Sequence, residues 1–175
     1  MNSWIIINVS LNLVTLINST IAIAICLLVL LLIIVFHRKS RSVPILLASH
    51  TCSNLLISAF MLASMATASL CGYLNIALEQ HGDTLWCRAR GFMIHGFLCA
   101  LYDSYVVQAL YRLCRVIFFR HKQLHSFPLY SLVVPIESLF GVVSILPVLL
   151  HEDVIYLPSE YYCQTPFTNL PAINY

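Results

Sequence analysis

The chain has 175 residues, 60% of them hydrophobic and only 9% charged, with a mean hydropathy of +0.87. Soluble domains carry about 25% charged residues, so this composition excludes an ordinary water-soluble globule and implies an integral membrane protein in contact with a lipid bilayer. The net charge of +2 is too small to point to nucleic acid, and its distribution says more than its sum. Seven of the nine basic residues fall in two clusters, Arg38, Lys39 and Arg41, then Arg112, Arg115, Arg120 and Lys122. Short basic clusters beside apolar spans mark the cytoplasmic side.

Residues 1–12, MNSWIIINVSLN, lack the basic region and cleavage site of a signal peptide and are expected to precede the first span as a short extracellular segment. Asn8-Val9-Ser10 and Asn18-Ser19-Thr20 match the glycosylation sequon. Asn18 lies too close to the membrane, which leaves Asn8 as the candidate. Residues 13–36 are charge-free and long enough for a first spanning helix. The basic segment HRKSRS follows at once, so the first loop is predicted to be cytoplasmic and the N-terminus extracellular.

Residues 43–68 form the second predicted span, with Pro44 in the first turn, where its missing N–H does no harm. His50, Ser53 and Asn54 are polar at depth and are expected to turn toward neighbouring helices. CGYLNIALEQHGDTLW, residues 71–86, carries Glu79 and Asp83 but no basic residue, and suits an outer loop.

The third predicted span, residues 88–118, organises the rest. From Cys87 to Arg112 is 25 steps, or roughly 37 Å of helix, enough to cross a hydrocarbon core of about 30 Å. Asp103 and Gln108 within it would be penalised by bare lipid, so other helices should surround it. At about 100° per residue, Ser104, Gln108, Tyr111, Arg112 and Arg115 fall on one side, and His95, Cys99, Tyr102 and Asp103 on another. Two polar stripes predict a central position in a bundle.

RHKQLHSF, residues 120–127, makes a short second cytoplasmic loop, and residues 128–150 the fourth span, with Pro135, Pro147 and Glu137 inside it. Residues 151–175 return to acidic, turn-rich sequence without Lys or Arg and are expected outside. The predicted architecture is one all-α membrane domain with four spans and both ends extracellular, in the plasma membrane.

No phosphate-binding loop, dinucleotide turn or zinc spacing is present. His50 and His95 are placed in opposite leaflets, cannot share one haem iron, and are read as hydrogen-bonded packing residues. Asp103 and Glu137 are the only acids at membrane depth and are predicted to bond across the third and fourth helices. No nucleophile with its base and no convergent acids stand out, so neither an enzyme nor a cofactor or metal is expected. Cys26, Cys52, Cys99 and Cys114 lie in apolar runs and are read as packing residues. Cys71, Cys87 and Cys163 fall in the outer segments, where a disulfide can persist; Cys87 with Cys163 would tie the third span to the segment after the fourth, and Cys71 could replace either. Arg112 could bond groups on facing helices, receive an inserted partner, or snorkel to the interface.

Together these residues resemble the first half of a rhodopsin-like (class A) G-protein-coupled receptor. The resemblance rests on order: an extracellular N-terminus, a basic first loop, Asn54 within LLASHTCSNLL where the family's helix two carries an acid, Trp86 and Cys87 before helix three, Arg112 at its inner end, and a cysteine after helix four. It covers the whole chain as an architecture. It implies that Cys163 pairs with Cys87, that Arg112 is a switch on the G-protein side, and that Ile94, His95, Leu98 and Cys99 on the outer half of helix three contact an extracellular ligand. Asn54, Asp103, Gln108 and Glu137 would be intramembrane packing polars. The chain also departs from the family: its Asp-Arg-Tyr triplet is Tyr111-Arg112-Leu113, and helix four has no Trp. Ile94 stands eighteen residues before Arg112, where amine receptors carry an Asp, which argues against a monoamine ligand. Helices five to seven are missing, so an incomplete or truncated receptor-like chain is expected, with coupling to a heterotrimeric G protein only if the chain is completed. The alternative is a four-span scaffold or receptor modulator without signalling of its own.

Overall fold

The computed structural model describes residues 3–37, 42–74, 84–150, 155–157 and 161–164. Four helices, α1 (Ser3–His37), α2 (Val43–Tyr73), α3 (Leu85–Ile117) and α4 (Phe127–Leu150), are followed by two short strands, β1 (Ile155–Leu157) and β2 (Tyr162–Gln164). Among the described residues the fold is helical apart from that strand pair. The basic segment Arg38, Lys39 and Arg41, the acids Glu79 and Asp83, and most of the expected outer tail lie outside the described residues.

Helix α1 begins ten residues before the first predicted span, since it starts at Ser3 and not at Leu13. No glycine or proline interrupts this stretch, and three of its polar side chains bond back to carbonyls of the preceding turn. Ser10 Oγ donates to Ile6 O (2.8 Å), Thr15 Oγ1 to Leu11 O (2.9 Å) and Asn12 Nδ2 to Asn8 O (2.9 Å). Asn8 therefore sits on a helix with its amide nitrogen buried, unlike an acceptor on an open loop.

Helix α2 starts at extended Ser42 and runs five residues past the expected end, to Tyr73. Thr84 caps α3 by accepting the Cys87 N–H at 3.2 Å. Beyond α3 a 3-10 turn, Lys122–His125, reverses the chain into α4. Pro135 and Pro147 lie inside α4; Pro135 leaves the Ser131 carbonyl without its usual helical donor.

Ile5–Phe36, Val43–Tyr73 and Phe127–Pro147 are long and apolar enough to cross a membrane. The outer surface of α1 exposes Ile17, Ile21, Ile25, Leu28, Leu31 and Ile34 in an unbroken apolar band, a surface suited to lipid. The protein is membrane-embedded on this evidence. Helix α3 has the length of a span but carries Arg88, Arg90, Asp103, Arg112 and Arg115, and is not among the three.

Helix α3 packs between α2 and α4 and also meets both strands, whereas α1 packs extensively only against α2. Helix α2 packs against α1, α3 and α4, so it stands beside α3 in the middle of the bundle. At the Arg112 end of the bundle Val43, Leu47, Val107 and Tyr130 form a buried cluster, with the Tyr111 and Tyr130 rings edge to face at 5.1 Å. At the opposite end β1 and β2 pair antiparallel with Tyr156 opposite Cys163. Tyr161, in the left-handed region at φ 61°, turns its ring edge-on to Tyr73 at 5.2 Å and fills the space a side chain on Gly72 would need.

Candidate functional site

Three sites along the bundle gather the sequence-predicted residues. The first is the clasp at the Cys87 end of α3. Cys87 and Cys163 form a disulfide with Cα atoms 5.5 Å apart, both buried and packed against Ile145 of α4. Cys71 is a free thiol, as are Cys26, Cys52, Cys99 and Cys114, so the alternative pairing is not taken. The bridge fastens β2 to the first turn of α3, and through the strand pair it holds β1 across the helix ends.

The second site lies where α2, α3 and α4 cross. Ala100 is 1% exposed and serves as the crossing point. Its carbonyl accepts from Asn54 Nδ2 at 3.4 Å, and its backbone lies so close to Gly141 that a Cβ there would stand 2.7 Å from Ala100 N. Small residues of this kind let membrane helices approach closely enough for polar groups to meet. One turn away on α4, Glu137 Oε2 lies 3.0 Å from His50 Nε2. Asn54 Nδ2 and Ser138 Oγ are 3.1 and 3.3 Å from the same nitrogen. A carboxyl oxygen and an imidazole nitrogen at this separation share one proton, whichever of the two carries it. Glu137 Oε1 is buried with no partner among the described residues.

This overturns the predicted Asp103–Glu137 bond. Asp103 is half-buried and makes no hydrogen bond among the described residues, while Glu137 turns toward α2. The polar group on the facing helix that reaches Glu137 is the imidazole of His50. His95, by contrast, bonds within its own helix, Nδ1 to Gly91 O at 2.8 Å. Both histidines are hydrogen-bonded, in separate places. Among the described residues no three His, Cys, Asp or Glu side chains gather where a metal could sit.

The third site is the Arg112 end. Gln108 Nε2 donates to Thr51 Oγ1 at 2.6 Å, tying α3 to α2. One turn further, Arg112 is exposed and lines a recess of about 260 Å³ with Pro44, Leu47, Gln108 and Arg115. Of the expected ligand contacts, Ile94 is 4% exposed and packed inside the bundle, and His95, Leu98 and Cys99 are half-buried. The recesses that involve Arg112, Arg115 and Lys122 lie at the other end of α3.

Sequence reasoning missed His50 as Glu137's partner, Ser138 beside it, Thr51 beneath Gln108, and the Ala100–Gly141 approach. A glycine one turn after Glu137 on the same face of α4 was the available signal for that approach. No known family model and no curated protein matches this chain.

Proposed function

We propose that this chain forms the first four helices of a receptor-like membrane bundle of the rhodopsin type, with α3 as a fourth span. In this reading the Cys87 end is extracellular and the Arg112 end cytoplasmic, in the plasma membrane. The observation that carries it is the Cys87–Cys163 bridge, which ties the start of α3 to the segment after α4 and takes neither Cys71 nor any other thiol. Support for α3 as a span comes from its 33 residues and its place between α2 and α4, where Gln108 and Ala100 are shielded by helix contacts.

Signal transduction belongs to this bundle together with the three further spans of a seven-helix receptor. An extracellular ligand that is not a monoamine would reach His95, Leu98 and Cys99 on the outer half of α3, with Ile94 behind them. Arg112, exposed and without an ion pair among the described residues, would change partners between two bundle states that ligand and G protein favour differently. Sequencing the transcript beyond the Tyr175 codon tests the reading. Three more apolar spans are expected there. A stop codon, with protein of 19.8 kDa found in membranes, would contradict it and favour a four-span scaffold.

A further inference from the structure

We infer that the recess between the first turn of α2, the last turns of α3 and the 3-10 turn binds a phosphate-bearing anion at the membrane surface, supplied by the headgroup of an acidic phospholipid. The recess is about 430 Å³ and is lined by Ser42, Pro44, Tyr111, Arg115 and His125. It adjoins the smaller recess that holds Arg112, and Arg115 lines both.

Three features converge on an anion. Arg115 is exposed at its wall and Arg112 at the wall of the adjoining recess, and neither has a hydrogen bond or ion pair among the described residues. Residues 27–78 and 104–136 contain no Asp or Glu, so α2, the end of α3 and the start of α4 offer these guanidinium groups no carboxylate. The first turn of α2 is uncapped: the Ser42 side chain makes no capping bond, and Pro44 has no N–H. The backbone N–H groups of Val43 and Ile45 are thus left without helical acceptors, at the positive end of a 31-residue helix. His125 Nδ1, on the far wall, is buried without a partner among the described residues.

A phosphate supplies acceptors for all of these at once, and the guanidinium fork matches its geometry. The position fits as well. Helix α2 is itself apolar enough to cross a bilayer, so its first turn lies at headgroup depth. The inference therefore stands apart from the receptor reading and from whether α3 spans. Arg120 and Lys122 carry the same charge nearby but line a different recess that has no α-helix N-terminus in its wall, and Arg120 lies 5.9 Å over the Phe119 ring.

The full chain in nanodiscs of phosphatidylcholine with a minor fraction of phosphatidylinositol 4,5-bisphosphate, read by native mass spectrometry, tests this. The parent should retain the acidic lipid in preference to phosphatidylcholine. Arg112→Gln with Arg115→Gln should weaken retention about 25-fold, at roughly fivefold per arginine. Arg120→Gln with Lys122→Gln should leave it near the parent value. Arg115→Lys should fall between parent and the glutamine pair, because charge remains and the fork is lost. All variants are compared at matched melting temperature. In discs of phosphatidylcholine alone, inositol 1,4,5-trisphosphate binding that the recess pair abolishes would support the site with a soluble occupant. Equal loss in both pairs, or no preference for the acidic lipid, would overturn it.

Discussion

Cys87→Ser is expected to destabilise the purified chain by about 4 kcal/mol. The bridge joins residues 76 apart, and opening a loop of that length returns conformational entropy to the unfolded chain. Its loss also frees β2, whose Tyr162–Gln164 segment pairs, among the described residues, with the three residues of β1 and otherwise leans on α3 and α2. Cys163→Ser should match Cys87→Ser, and the double variant should cost no more than either single one, because all three remove the same bond. Cys71→Ser should change nothing, since that thiol is free. Thermal melting in detergent reads all four. A Cys71→Ser loss equal to that of Cys87→Ser would show that another pairing holds the clasp.

The second large effect is expected at Gly141. A side chain there would meet backbone atoms, Ala100 N at 2.7 Å and Ala100 Cα at 2.8 Å, which no rotamer change can move aside. Helices α3 and α4 would have to separate, and the separation would also strain the Asn54 bond to the Ala100 carbonyl and the His50–Glu137 contact. Gly141→Val should therefore cost about 3 kcal/mol, the upper end for an overpacked core site. Gly96→Ala, one turn before Ala100 on α3, is the matched control: its added methyl would find only Val142 atoms, at ordinary distances of 3.7 and 3.8 Å, and should be tolerated. A Gly141→Val chain that melts with the parent would show that the helices do not approach at Ala100.

Much of this architecture was legible because lipid imposes simple requirements. Long apolar runs marked α1, α2 and α4, and Pro44 just after a basic loop marked a helix start. The bridging cysteines were legible as a pair only through the resemblance, since spacing alone left Cys71 open. The N-terminal extension of α1 was not read, because Asn and Ser suggest a loop until one sees that their side chains bond back to the preceding turn. The partner of Glu137 was hidden for a different reason. Helical phase tells which residues share a face, but which face of α2 meets α4 depends on how three helices cross at Ala100 and Gly141. The strand pair was missed too, although Ile155–Leu157 and Tyr162–Gln164 bracket Pro158 and Ser159, residue types that favour turns, in a segment read only as a polar, turn-rich tail.

The claim on which the receptor-like reading depends is that α3 crosses the bilayer, with its disulfide-bonded start and its arginine-bearing end on opposite faces. Single cysteines introduced as Thr84→Cys and Gln123→Cys, in a chain whose five free thiols are replaced by alanine, can be probed in intact cells with a membrane-impermeant maleimide. Labelling at position 84 in intact cells, and at position 123 only after permeabilisation, is the predicted result. Labelling of both positions in intact cells, or of neither, would place the two ends of α3 on one side of the membrane and contradict it.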